Sequence, residues 1–532
     1  MQFKPLTRLL FLTIAIVNIT SCASTKGFTS VVDDVFGKPK YMSIKDTYIS
    51  EESLSEYKER KDELTGSSSV ISYTGENISF EETRDINLVK APKLESYLQN
   101  IVDELIKKWP GTPIKAKINI TAQSKFGPQA DHLGNIYIPI GALSNVESKD
   151  ELAMLIGHEL SHLLLRHHER QEEFDEQRKL VTKIAGAVIV SNLAKDTDVV
   201  KVNDTFKLEY TASTRGKKNM VKAVLYNHLI NSISDNVLST AWGRVQEEEA
   251  DLLSIDLAIA AQYSPAAAST ALGRQDTIEK EKEKENQELR EKQSQILKAA
   301  YDDGDLKGLA SELTKKVSSL VGDASQWVKK TITRTHDSAE VRAGYADEYI
   351  NREYLDEIGL YPGRFADWED FKDTPEVSLI IEGYVTSNKA LKALAQGELD
   401  KAEKLAIQSQ NRFTKNHPEI REIMYQLRME QNKVEKAEQN LFLVGDWNYA
   451  SRSMFEKRIS LHMKKNDFSE ALRFIFIAEK NLYSSQPFSL QKAVALSNLG
   501  QKEKSVQALK DCTEVIEFKA QCQSILDSIN SI

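Results

Sequence analysis

Residues 157–162 read GHELSH and contain the pattern His-Glu-x-x-His. Because an α-helix brings residues four apart onto one face, His158 and His162 can bind the same tetrahedral zinc ion through their imidazoles. Glu159 lies beside them and can accept a proton from a water molecule without itself being a ligand. A structural helix with histidines at its surface would show the same letters. The motif therefore predicts a zinc site and leaves a third ligand to be found.

The sequence before the motif predicts a helix followed by two strands. Apolar residues recur at helical spacing over 94–106, and a Pro-Gly pair follows at 110–111. Apolar and polar residues alternate over 114–120 and again over 136–140, which is typical of strands with one buried face. Because Pro139 has no backbone N–H, we predict that the second strand lies at the edge of its sheet.

The helix that carries the motif begins with the spacing of a capping box, Ser148 and Glu151. His168 stands at the position of the third ligand in the metzincin pattern, but Leu165 occupies the place where that pattern needs a glycine to turn the chain. The helix is therefore predicted to continue. His167 and His168 would then lie away from the metal.

A second helix offers a carboxylate as the third ligand. Glu247 and Asp251 are four residues apart, so they lie one turn apart on one helix face. We expect Glu247 to complete the zinc site and Asp251 to accept a hydrogen bond from a ligand imidazole. Two histidines, a base and a carboxylate ligand predict zinc-assisted peptide hydrolysis, with one Zn²⁺ per chain.

Length and charge limit the other function classes. With 532 residues, the chain should contain about three or four structural units at roughly 150 residues each. Seventy Lys and Arg residues against 79 Asp and Glu residues give a formal charge of −9, without a basic block. We expect no nucleic-acid partner, because proteins that bind DNA or RNA carry a basic surface.

The N-terminus predicts export and lipid attachment. Basic residues precede an apolar run over 9–20 that is too short to span a bilayer comfortably. Cys22 follows in a context that resembles the lipobox of bacterial lipoproteins, and Ser24 favours sorting to the outer membrane. Residues 1–21 are predicted to be the signal peptide, Cys22 the lipidated N-terminus and 22–90 a polar tether. The alternative is a buried N-terminal helix with an incidental cysteine.

Cys512 and Cys522 are the remaining cysteines of the chain. An exported protein meets an oxidising compartment, in which two such thiols can pair. We predict a disulfide between them, since a separation of ten residues suits a bridge across two antiparallel helices.

Residues 377–532 carry an internal repeat. Four aligned segments end at positions separated by 35, 34 and 34 residues. The segments are Gly397–Ala402, Asn432–Ala437, Asn466–Ala471 and Gly500–Ser505. This period resembles that of the tetratricopeptide repeat, whose stacked helix pairs form a superhelix with a concave protein-binding surface. Ser505 and the missing proline spacing depart from that pattern, and a non-repeating helical bundle is the alternative.

The two helical motifs together resemble a known protease family. His-Glu-x-x-His, followed by Glu-x-x-Ala-Asp at 247–251 and preceded by a strand and loop at 135–143, is similar to the zincins that include the prenyl-protein (CAAX) proteases and the Oma-type mitochondrial proteases. A periplasmic BepA-like branch joins such a domain to tetratricopeptide repeats. The resemblance implies a protease domain over 91–350, a repeat domain over 377–532, and a mostly helical α+β fold.

The resemblance also implies roles for His336 and Arg342. Relatives carry a histidine and an arginine at this spacing near the metal, and we expect either residue to stabilise the oxyanion of the transition state. In such relatives the histidine can lie over the zinc and hold the enzyme latent. Asp337 stands where the family usually has Pro, so the resemblance leaves latency open.

These observations predict a lipid-anchored periplasmic zinc metalloendopeptidase of the bacterial envelope. It would hydrolyse unfolded or misassembled envelope proteins, and its repeats would recruit substrate or the outer-membrane assembly machinery. An extended substrate segment could add beside 135–140 through backbone hydrogen bonds. The alternative is a repeat-based chaperone or scaffold whose protease domain is inactive or latent.

Overall fold

A computed structural model of the protein describes residues 86–111, 114–131, 134–167, 197–202, 205–210, 244–282, 284, 339–482, 488–514 and 519–530. All of them lie within one compact unit, Val70–Ile532. The predicted signal peptide, Cys22, the tether up to residue 85, His168 and His336 lie outside the described residues. Among the helices that the structure describes, none is both long enough and apolar enough to cross a membrane.

Helices and two small sheets form the first part of the described chain. In chain order the elements are α1 Pro92–Ile106, β1 Lys117–Thr121, β2 Gln129–Ala130, β3 Asn135–Pro139, α2 Ile140–Asn145, α3 Lys149–Leu164, β4 Thr197–Val202, β5 Thr205–Tyr210, α4 Arg244–Ala260, α5 267–282 and α6 Ala339–Glu353. The helix predicted over 94–106 and the two predicted strands are thereby confirmed.

Helix α1 forms because one face of it is apolar. Pro92 stands in the first turn, where its missing N–H costs no intrahelical bond. The apolar residues at steps of three and four are buried, and they are Leu94, Leu98, Ile101, Val102 and Leu105. This stripe packs α1 against β1 and α3.

Strand β3 is the central strand of the first sheet. It runs parallel to β1 and antiparallel to the two-residue strand β2, in the order β1-β3-β2. All five residues of β3 are buried. The predictions of an edge strand and of one buried face are therefore wrong. Pro139 is tolerated because it is the last residue of β3 and the residue that caps α2.

Strand β2 occupies part of the segment 135–140 beside which an extended substrate was expected to add. Ile136 and Tyr137 already pair with β1 on one side and with β2 on the other. A substrate segment cannot add beside these residues, because both of their hydrogen-bonding sides are occupied. The edge of the sheet on this side is β2.

Helix α3 carries the His-Glu-x-x-His motif and packs against α4. Ser148 Oγ accepts a hydrogen bond from the N–H of Glu151 at 3.1 Å, so the predicted N-terminal cap is confirmed. The Glu151 carboxylate accepts from the N–H of Glu147 at 3.2 Å. A Cβ at Gly157 would lie 3.2 Å from Cβ of Ser254, so the glycine lets the two helices approach closely.

The remaining described chain after residue 365 is helical. It comprises α7 Phe365–Lys372, α8 Pro375–Ala395, α9 Leu399–Gln408, α10 Pro418–Glu430, α11 Val434–Phe442, α12 Arg452–Lys464, α13 Phe468–Leu482, α14 Ser489–Asn498, α15 Lys502–Thr513 and α16 Lys519–Asn530. Consecutive helices pack as the pairs α8–α9, α10–α11, α12–α13 and α14–α15, and α16 packs against α15.

Each of the four pairs turns at a residue in the left-handed conformation. Gly397, Asn432, Asn466 and Gly500 have φ of 75°, 57°, 57° and 76°. The residue after each of them donates its N–H to the carbonyl five positions back, at 2.8–2.9 Å, as in a Schellman termination. Gly and Asn adopt this conformation most readily. The first residues of the aligned segments therefore share one backbone role.

The last residues of the four aligned segments are all buried. Ala402, Ala437, Ala471 and Ser505 expose 1%, 0%, 0% and 0% of their surface. Ser505 fits at a position otherwise held by alanine because its hydroxyl donates a hydrogen bond to the carbonyl of Ala493 at 2.7 Å. The buried hydroxyl is therefore satisfied, and the helices α14 and α15 still pack closely.

Residues 87–89, which precede the predicted boundary at residue 91, are buried, and Asn87 contacts the helical pairs. Asn87 Nδ2 donates to the carboxylates of Glu419 and Glu422 at 2.8 and 2.6 Å. Its Oδ1 accepts from the N–H of Ser451 at 2.8 Å. These hydrogen bonds join the start of the first part to α10 and α12.

A hairpin between α3 and α4 in the chain also packs on the helical pairs. Strands β4 and β5 pair antiparallel. The N–H of Leu208 donates to Ser497 Oγ at 3.2 Å, and its carbonyl accepts from Asn498 Nδ2 at 2.8 Å. Leu208 is fully buried in the same apolar core as α12 to α16.

Cys512 and Cys522 form a disulfide, with their Cα atoms 6.0 Å apart. It joins α15 to α16, the last two described helices. Both cysteines are fully buried.

Candidate metal centre

Three side chains from two helices converge on one point. Nε2 of His158 lies 3.2 Å from Nε2 of His162, and both belong to α3. The Glu247 carboxylate of α4 approaches them, with Oε2 3.5 Å from His158 Nε2 and Oε1 3.6 Å from His162 Nε2. The ligand atoms of all three residues lie within 4.8 Å of one another. The structure thus brings together the three ligands predicted from the sequence.

The spacing and chemistry of these atoms fit zinc. Tetrahedral bonds of about 2.0–2.1 Å place two ligand atoms about 3.3 Å apart. The three separations, 3.2, 3.5 and 3.6 Å, lie close to that value. Two imidazoles and one carboxylate are also a donor set that zinc accepts while keeping a fourth position for water or substrate. The residues present therefore suit one zinc ion.

Glu159 lies beside this cluster and keeps one carboxylate oxygen without a protein partner. Its side chain is buried, and Oε2 has no hydrogen-bond partner within the described part of the chain. Burial raises the pKa of Glu159 to about 7, against the opposing charge of His158. A carboxyl group with a pKa near neutrality can both accept and return a proton, as a general base requires.

Asp251 fixes the ring of His158 from the side away from the cluster. Its Oδ1 lies 2.8 Å from Nδ1 of His158, one turn of α4 beyond Glu247. Arg342 of α6 donates to both Asp251 oxygens, at 2.8 and 2.7 Å. Burial opposes the ionisation of Asp251, but the Arg342 guanidinium and the His158 ring hold the pKa of this carboxyl well below its usual range. The hydrogen bond predicted for Asp251 is thereby present.

Arg342 contacts two carboxylates, one belonging to the cluster and one beside it. Besides Asp251, its Nη1 lies 3.3 Å from Oε2 of Glu247. The side chain is buried, and the charges of Asp251 and Glu247 raise its pKa despite the burial. These contacts give Arg342 a part in holding ligand side chains, while the oxyanion role expected from the resemblance stays a prediction.

Helix α6 is anchored beside the site by a second buried carboxylate. Asp256 of α4 accepts hydrogen bonds from the hydroxyls of Tyr349 and Tyr354, at 2.8 and 2.5 Å. Both tyrosines are buried. The two hydroxyls therefore fix the C-terminal end of α6 and the residue after it against α4.

His167 contacts a ligand histidine because the helix ends earlier than the sequence predicts. Helix α3 ends at Leu164, and Arg166 adopts a left-handed conformation with φ of 54°. The chain then turns back, and Nδ1 of His167 lies 2.8 Å from Nδ1 of His162. Its Nε2 lies 3.1 Å from the carboxylate of Glu249. The prediction that the helix continues is therefore wrong, whereas His167 does lie away from the metal cluster, because it contacts His162 at Nδ1 and not at Nε2.

The geometry of two helices, with two imidazoles, a carboxylate ligand and a buried glutamate base, is that of a zincin-like metalloprotease. Comparison with known proteins agrees, because residues 92–350 match the sequence model of peptidase family M48. This part of the chain is therefore a metallopeptidase domain of family M48. None of the curated proteins compared with the chain matches it.

Proposed function

We propose that this chain is a zinc-dependent metalloendopeptidase. The main support is that His158, His162 and Glu247 converge at separations that fit zinc. The match to family M48 over residues 92–350 supports it independently of the geometry. Glu159 adds a buried base next to the ligands, which a purely structural zinc site does not need.

The side chains of the site divide the chemistry between them. Zinc, when bound, polarises the scissile carbonyl and makes water a better nucleophile at neutral pH. Glu159 takes a proton from the attacking water at its Oε2 atom and later gives that proton to the leaving amine. Asp251 holds the proton of His158 on Nδ1, so that Nε2 keeps the lone pair which a metal requires.

We propose further that the enzyme acts in the bacterial envelope, where Cys22 is lipidated and anchors it to the outer membrane. The support is the signal-like sequence of residues 1–21 and the lipobox-like context of Cys22. Unfolded or misassembled envelope proteins are the proposed substrates, since an extended chain can reach the buried ligands more easily than a folded one. Replacement of Cys22 with Ser is expected to release the chain from the membrane fraction.

The helical pairs are proposed to be tetratricopeptide repeats that recruit substrate or the outer-membrane assembly machinery. The support is the 34- to 35-residue spacing together with the left-handed turn at the same point of every pair. The small buried residue at the end of each aligned segment is a further common feature.

Cleavage of an unfolded protein tests the proposed activity. The full chain, purified in detergent and loaded with zinc, is incubated with fluorescein-labelled casein beside the variants Glu159→Gln and Glu340→Gln. We expect cleavage by the wild type and by Glu340→Gln, whose exposed carboxylate lies outside the site. Glu159→Gln should be slower by about 10²- to 10⁴-fold, since that is the contribution typical of a general base. Equal rates for Glu159→Gln and wild type, or no cleavage by any of the three, would favour the inactive scaffold instead.

A further inference from the structure

A buried histidine outside the predicted ligand set contacts the second ligand histidine. His167 is fully buried, and its Nδ1 lies 2.8 Å from Nδ1 of His162. Their rings meet edge to face, with centroids 5.0 Å apart and an interplanar angle of 70°. The backbone of His167 is also held by α4, because Gln246 Nε2 donates to its carbonyl at 3.4 Å. The left-handed turn at Arg166 makes both contacts possible.

The position of the protons along this chain of contacts follows from the ligand role of His162. Its Nε2 points to Glu247 and His158, so a metal there would take the Nε2 lone pair and leave the proton on Nδ1. That N–H then donates to Nδ1 of His167, which must be the acceptor. The ring of His167 consequently carries its own proton on Nε2 and donates it to the Glu249 carboxylate. This arrangement of protons satisfies the contacts of His167 with His162 and Glu249.

The two ligand histidines are therefore supported in different ways. Asp251 contacts His158 directly and has Arg342 as its counter-ion. His162 is fully buried, and a carboxylate placed next to it without a cation would be costly to ionise. The neutral imidazole of His167 next to His162 avoids this cost. It is hydrogen-bonded in turn to Glu249, whose side chain is 31% exposed and remains partly hydrated.

We propose that His167 is a positioning residue for the metal site, linking the Glu249 carboxylate to His162. It fixes which nitrogen of His162 carries the proton and how the ring is oriented. This inference rests on the proposed zinc enzyme. It predicts that His167 acts through zinc affinity and coordination geometry, beyond any part it has in folding.

Substitutions of His167 test the link, because amide side chains can imitate one ring nitrogen at a time. The amide of Asn occupies nearly the place of Nδ1 and can accept from His162, whereas the amide of Gln reaches the place of Nε2 and can contact only Glu249. We compare full-length wild type, His167→Ala, His167→Asn and His167→Gln. The matched control is His417→Ala, which removes a buried histidine of the helical pairs far from α3 in sequence.

Zinc affinity is measured by competition with a chromophoric chelator, and coordination is followed by the visible absorption of the cobalt(II)-loaded protein. Thermal unfolding of the metal-free proteins controls for folding. We expect zinc binding about 10- to 100-fold weaker in His167→Ala and His167→Gln, with an altered cobalt spectrum in both. The loss should be smaller in His167→Asn, which keeps the contact with His162 but not the one with Glu249. His417→Ala should bind zinc as the wild type does.

Two outcomes would overturn the inference while leaving the enzyme in place. One is wild-type zinc affinity and cobalt spectrum in His167→Ala. The other is a loss in His167→Asn equal to that in His167→Ala, which would indicate a requirement for ring packing instead of the hydrogen bond. If His167→Ala fails to fold, the comparison of His167→Asn with His167→Gln decides the question. Failure of the wild type to bind zinc would overturn the proposed function itself.

Discussion

Oδ1 of Asp251 lies 2.8 Å from Nδ1 of His158, opposite the Nε2 atom that converges with His162 and Glu247. A single helix, α4, thus supplies one carboxylate to the cluster and a second carboxylate, one turn later, to a histidine of that cluster. The spacing of Glu247 and Asp251 in the sequence is the direct cause of this arrangement, since residues four apart share a helix face.

Loss of the Asp251 charge should weaken zinc binding without unfolding the domain. We expect Asp251→Asn to lower zinc affinity about 10- to 100-fold, because the variant no longer favours the Nδ1 proton of His158. Chelator competition measures the affinity. Asp256→Asn is the matched control, because Asp256 is also a buried carboxylate of α4 but contacts tyrosine hydroxyls. That control should lower thermal stability and leave zinc affinity intact, and the reverse pattern would contradict the assignment.

The left-handed turns predict opposite effects of the same substitution at two glycines. Gly397 has φ of 75°, and Gly397→Ala should destabilise the protein by about 1–2 kcal/mol, the usual cost of this conformation for a residue with a Cβ. Gly344 lies within α6, and a Cβ there would have no atom within 4 Å. Gly344→Ala should therefore stabilise by about 0.5–1 kcal/mol.

Urea unfolding of both glycine variants checks this prediction. If Gly397→Ala were as stable as the wild type, Gly397 would not need the left-handed conformation. The common backbone role of the four turns would then lose its support.

The neighbouring carboxyl groups of Glu419 and Glu422 should make stability depend on pH. Burial and the neighbouring charge of Glu422 raise the pKa of Glu419 from its ordinary 4.5 to about 7. A raised carboxyl pKa means that the folded state binds the proton more tightly than the unfolded state. The contribution of Glu419 is therefore greatest below about pH 4.5 and is lost as the pH rises through about 7.

Thermal unfolding between pH 5 and pH 8 measures this effect in the wild type and in Glu419→Gln. Relative to the variant, the wild type should lose stability as the pH rises across that range. Gln resembles a protonated Glu and can still accept from Asn87 Nδ2, so the variant should retain the contact. Parallel stability curves for the two proteins would show that Glu419 does not titrate in this way.

Local pattern predicted most of the helices and the three ligands. The apolar stripe of α1 and the cap of α3 at Ser148 are encoded within a few neighbouring residues, so periodicity and capping were sufficient. His158 and His162 are four residues apart, and so are Glu247 and Asp251. Each pair therefore lies one turn apart on one helix face, which the sequence alone predicts. The disulfide between Cys512 and Cys522 joins neighbouring helices, which a short separation allows.

The features that were missed depend on distant parts of the chain or on short segments. Strand β2 has two residues, which is too few to show alternation, so Pro139 alone determined the prediction of an edge strand. The left-handed conformation of Arg166 could not be predicted from the sequence, because Gly and Asn are the residues that usually adopt it. The partner of His167, Glu249, lies 82 residues further along the chain.

Zinc content is the measurement that tests the central claim most directly. Metal per chain is determined by elemental analysis for the full-length wild type, Glu247→Ala and Glu340→Ala, after zinc loading and removal of free metal. The three-ligand site predicts about one zinc per chain in the wild type and in Glu340→Ala, and loss of the metal in Glu247→Ala. Absence of zinc from the wild type, or full retention by Glu247→Ala, would contradict the account.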